Sequence, residues 1–190
     1  ALNPVLFSYL TNKIAVVPMP SQKPYPGSIM VKLRRLPYLV AMGMEGAGRS
    51  GLAGSASERN AMVSSLVEGR RSYPKNDVIR SIVPEGADEN ELLLTVVRQH
   101  DEILDCLRYQ DIEDNKGLQK HVLKVLSLVL GILQANESAE TIREFKDWLL
   151  MIAKNVAHAG KEGDFLGIGG ERFSKEEQRF YHQLSSHLDA

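Results

Sequence analysis

The chain has 190 residues, 43% of them apolar and 25% charged, with one cysteine and a formal net charge of −1. That balance excludes a wholly disordered chain, an intrachain disulfide framework and a strongly basic nucleic-acid binder. A chain of this length buries a sizeable core as one domain without covalent staples.

Residues 1–27 read as an extended arm. Ile14–Val17 has the composition of a short strand, and Pro18, Pro20, Pro24 and Pro26 follow closely. Each proline removes a backbone donor and drives its predecessor out of the helical region. The arm is either a solvated linker or a clamp laid on a partner. Residues 28–190 form a single helical domain, with 88–190 as its core bundle.

Ile29, Leu33, Leu36 and Val40 repeat at helical spacing, with Pro37 predicting a break or kink near Leu36. The glycine-rich stretch 43–54 comes next. Ser55 with Glu58 three residues on is a capping box, opening a helix expected to run to Glu68 and stop at Gly69. Asp77–Val83 predicts a short helix ended by Pro84.

Asp88 and Glu91 start a helix to Tyr109 whose apolar stripe is Leu93, Val96, Val97, Ile103, Leu104 and Leu107. Cys106 lies in this stripe and reads as a buried filler, and His100 as a core or half-buried histidine. After a polar turn, residues 117–134 are apolar nearly all round, which predicts the central rod of the bundle. Short connections between 109 and 138 favour antiparallel neighbours. Asn136 and Ser138 cap a helix to His158, with Gly160 and Gly163 as left-handed stops. Ser174 and Glu177 repeat the capping box before a final helix that buries Phe180, Tyr181, Leu184 and Leu188.

The expected fold is therefore all-α, a bundle of five to seven helices with an extended proline-rich arm and glycine-rich connections. It also carries an internal echo. Tyr38-Leu39-Val40, Ala47-Gly48-Arg49 and the Ser55/Glu58 box are matched in order by Trp148-Leu149-Leu150, Ala159-Gly160-Lys161 and the Ser174/Glu177 box. A helix, a glycine hairpin and a capped helix occurring twice suits a pseudo-symmetric bundle.

One stretch carries phosphate chemistry in its spacing. Gly43-Met44-Glu45-Gly46-Ala47-Gly48-Arg49-Ser50 has the layout of a Walker A loop with Arg49 in place of lysine. Gly46, Gly48, Arg49 and Ser50 would cradle the phosphates, reach them with a cation and supply a hydroxyl, provided Tyr38–Met42 is a strand. Gly46-x-Gly48-x-x-Gly51 also has dinucleotide-loop spacing, with Glu68 about 20 residues on as the ribose acid. Against both, arginine's planar fork is no substitute for a compact ammonium, and no further strand–helix units follow. The ordinary reading is a glycine hairpin between helices.

No Glu-x-x-His, His-Glu-x-x-His or Cys-x-x-Cys pattern offers a metal site, and no cofactor or catalytic set is indicated. Asp101, Glu102, Asp105, Asp111, Glu113 and Asp114 form an acidic run, either a solvated face or a docking patch for a basic partner. Phe165, Leu166 and Ile168 lie in a glycine-rich loop that tucks under the bundle or meets a partner or lipid surface. Charge is uneven: residues 1–88 hold eleven Lys and Arg against six Asp and Glu, and residues 89–190 twelve against eighteen.

The start of the chain lacks the basic and apolar regions of a signal peptide, and no apolar run is read as long enough to span a bilayer. The expectation is a cytoplasmic, non-enzymatic interaction or assembly protein, a homo-oligomer in which the basic half of one copy meets the acidic half of another. The alternatives are phosphate or nucleotide binding at 43–50, and a small-molecule or peripheral membrane contact at 165–170.

Overall fold

The computed structural model describes residues 25–47, 55–160 and 173–189. Among them are seven α-helices and no strands, forming an all-α bundle. They are α1 (Gly27–Ala47), α2 (Ala56–Ser72), α3 (Asp77–Ile82), α4 (Glu89–Tyr109), α5 (Asn115–Asn136), α6 (Ala139–Ala159) and α7 (Lys175–Asp189). The strand expected at 14–17 and Pro18, Pro20 and Pro24 of the arm lie outside the described residues, whereas Pro26 leads directly into α1, its carbonyl accepting from Ile29 N at 2.8 Å.

The centre of the bundle is α1, which touches each of the other helices. Every residue from Leu36 to Ala47 is buried. This corrects the expectation that 117–134 is the central rod, and the reason lies in charge. No ionisable carboxylate, lysine or arginine stands between Arg35 and Glu45, so nothing resists burial there. In α5, Lys116, Lys120 and Lys124 recur every fourth residue and hold one side in solvent. Its opposite face buries Leu118, Val122, Leu126, Val129 and Leu133.

Helix α1 runs without interruption through Pro37, against the predicted break. Proline costs the bond to the carbonyl four residues back, but burial of apolar side chains on both sides of it favours one continuous rod. By length and composition alone, α5 is long and apolar enough to cross a bilayer, which corrects the reading that no run is long enough. A protein core helix passes the same test, and the buried face of α5 is packed on protein.

Local chemistry sets the ends. Ser55 Oγ accepts from Glu58 N at 3.2 Å, and the Glu58 carboxylate accepts from Ser55 N. Asp88 accepts from the amides of Asn90 and Glu91, and Asp114 caps α5 by accepting from Gly117 N at 2.6 Å. Ser138 caps α6. Asn136 is instead the last residue of α5, donating back to the Ile132 carbonyl at 2.8 Å. Gly160 is right-handed, with φ −60° and ψ −21°, not a left-handed stop. Gly163 lies outside the described residues.

Helix α2 continues past Gly69, because that glycine serves a packing contact rather than a chain reversal. A β-carbon there would stand 2.0 Å from Trp148 Nε1. Helix α2 lies chiefly along α6, while α7 packs on α1, α5 and α6. Helix α4 lies on α1 and α2, not along α5 as the short turn between them suggested. Asp111, with φ 54°, turns the chain away at that corner.

Candidate functional site

Two regions stand out: the end of the bundle where α1 and α6 finish, and the outward faces of α4 and α5.

At the bundle end, the C-termini of α1 and α6 meet the N-termini of α2, α5 and α7. Tyr38–Met42 is helical, which corrects the strand a phosphate loop would need. Gly46 is buried inside α1, and its carbonyl accepts from Asn115 Nδ2. In a helix the Gly46 N–H is committed to the carbonyl four residues back rather than to a ligand. Gly43 lets α7 approach, since a β-carbon there would lie 2.7 Å from the Phe180 ring. Gln119 donates to the Gly43 carbonyl at 3.4 Å. Gly48, Arg49 and Ser50 lie outside the described residues, as do Phe165, Leu166 and Ile168.

The two echoed units meet at this end. The capping carboxylate of the first, Glu58, stands against the glycine of the second: a β-carbon on Gly160 would be 2.8 Å from Glu58 Oε1. The second box repeats the first, with Ser174 N donating to Glu177 Oε2 at 2.6 Å and Glu177 N to Ser174 Oγ at 3.1 Å. Glu45, Glu58 and Glu177 are all buried. His158 stacks on Phe173 with centroids 5.3 Å apart, and Phe173 on Tyr181 at 5.8 Å. His158 Nε2 is buried without a hydrogen-bond partner among the described residues. No group of three His, Cys, Asp or Glu side chains among the described residues is arranged to hold a metal.

The chain matches no family model, no curated protein and no solved structure. The functional reading therefore rests on surface chemistry.

The surface of α4 is apolar at its start and acidic further on. Leu94 is 72% exposed and Val97 also faces out, followed on the same face by exposed Asp101 and Asp105. Tyr109, at the end, is 92% exposed. Along α5 the order is basic and then apolar: Lys116, Lys120 and Lys124 are exposed, and Leu128, 44% exposed, precedes exposed Gly131. His121, beside this lysine row, is held below the ordinary histidine range by burial and by Lys124.

Cys106 is half-buried rather than a core filler, because its Sγ accepts from Arg35 Nη1 at 3.3 Å. The same guanidinium pairs with Glu102 at 3.0 Å. His100 is half-buried, with Nδ1 3.6 Å from Asp101 Oδ1. Asp105 pairs with Arg108 at 3.0 Å, an exposed pair of small energetic weight.

Sequence reasoning missed Asn76, which is buried, caps α3 by accepting from Ile79 N, and donates to the Thr141 carbonyl and Glu144 at 2.9 Å each. It also missed the lysine row of α5, although its fourfold spacing was legible.

Proposed function

We propose that this protein is a non-enzymatic interaction or assembly protein that works as a homo-oligomer. The observation that carries this reading is the outward face of α4, where Leu94 and Val97 stand in solvent one helical turn apart. Single exposed apolar residues are ordinary, but a pair on one face gives association something to bury. The acidic continuation of that face and the excess of basic residues in the first half of the chain support a charged partner surface of opposite sign.

The test is sedimentation velocity at protein concentrations from about 1 to 100 μM, the range in which modest interfaces populate. A mass that rises with concentration to a multiple of 21.1 kDa is expected. A single 21.1 kDa species throughout would overturn the homo-oligomer reading.

A further inference from the structure

The outward faces of α4 and α5 complement one another in register. Reading α4 forward gives Leu94, Val97, Asp101, Asp105 and Tyr109; reading α5 backward gives Gly131, Leu128, Lys124, Lys120 and Lys116. The steps are three, four, four and four residues in both directions, so each row stays on one face of its helix. Laid antiparallel, Leu94 meets Gly131, Val97 meets Leu128, Asp101 meets Lys124, Asp105 meets Lys120, and the Tyr109 ring meets the Lys116 ammonium. The matched rows run about 22 Å, at ~1.5 Å per residue. The glycine opposite Leu94, the most exposed leucine of the row, leaves room for it.

Within one chain the two rows do not serve each other, since α4 lies on α1 and α2 whereas α5 lies on α1, α6 and α7. We propose that α4 of one copy docks antiparallel on α5 of a second copy of this chain, with apolar halves facing each other and Asp101 and Asp105 opposite Lys124 and Lys120. The proposal rests on the homo-oligomer reading above and names its surface. Apolar contact supplies the driving force, and the order of the rows sets direction, because a parallel arrangement would place Leu94 and Val97 against Lys116 and Lys120 and Asp105 against Leu128.

The experiment uses two variants of the full chain, Asp101→Lys with Asp105→Lys, and Lys120→Glu with Lys124→Glu. All four positions are exposed, and circular dichroism checks that both variants fold. Each variant alone faces like charge with like and should associate at least about tenfold more weakly than the parent chain. Mixed in equal amounts, the two present complementary faces again and should recover parent-like association. Raising salt should weaken the parent complex. If the parent associates but the variants do so equally well, or the mixture fails to recover, the register is overturned while the homo-oligomer reading stands. If the parent is monomeric at every concentration, both fall.

Discussion

Gly69 is pressed against Trp148: a β-carbon at residue 69 would lie 2.0 Å from the indole Nε1, which donates to the Ser65 carbonyl at 2.9 Å. The indole is fully buried, and its neighbour Asn155 donates to Ser65 Oγ at 3.1 Å. Helices α2 and α6 are therefore joined by a polar lock inside an apolar contact, and a residue without a side chain makes room for it.

Gly69→Ala should destabilise the protein, with the clash at a rigid ring outweighing alanine's better helix propensity. The expected loss is about 1–3 kcal/mol in urea unfolding. Gly131, with nothing near its missing β-carbon, is the control: Gly131→Ala in high salt should gain about 0.5–1 kcal/mol. Equal effects at the two sites would refute the Trp148 contact.

Gly160→Ala meets no backbone strain, because Gly160 is right-handed, yet it would crowd Glu58 Oε1. The cost should come through the capping box. In a double-mutant cycle, Gly160→Ala should therefore be less harmful when Glu58 is already alanine, with a coupling of about 0.5–1 kcal/mol. Strict additivity would separate the two sites.

Asn76→Ala removes an N-cap and two donated bonds from a buried position. A loss of about 2–3 kcal/mol is expected. Asn76→Asp keeps the cap acceptor but sets a second carboxylate beside Glu144. Its deficit should shrink as pH is lowered and a carboxyl regains a proton to donate. A deficit independent of pH would contradict that contact.

His121 has its folded pKa lowered by burial, with Lys124 adding to it. As pH falls through the unfolded value of about 6.5, the unfolded chain takes the proton first. Its contribution to stability is thus complete above that pH and declines below it until the folded pKa is passed. The His121→Gln variant should lose this part of the pH dependence, and Lys124→Gln should reduce it. Unfolding curves between pH 8 and pH 5 that superimpose in slope for parent and His121→Gln would rule it out.

Much of the fold was legible along the chain because it depends on local chemistry. Ser55 with Glu58, Asp88, Ser138, and Ser174 with Glu177 announce helix starts by satisfying nearby amides, and those amides lie within three residues of the cap. Apolar spacing likewise marked which side of α7 turns inward, but on α4 it put Val97 in the buried stripe, where the structure exposes Val97 and buries Leu92 instead. The purposes of Gly69 and Gly160 were not legible. A glycine in a sequence looks the same whether it ends a helix or admits a tryptophan from 79 positions further on. The sequence by itself determined that this chain makes helices and where most of them begin, since hydrogen bonds and periodicity act over a few residues. Only the tertiary structure decided that α1 is the centre, that Trp148 sits over Gly69, and that the charged rows of α4 and α5 both stand in solvent. Those outcomes depend on which surfaces exclude water together, a property of contacts between segments far apart in the chain.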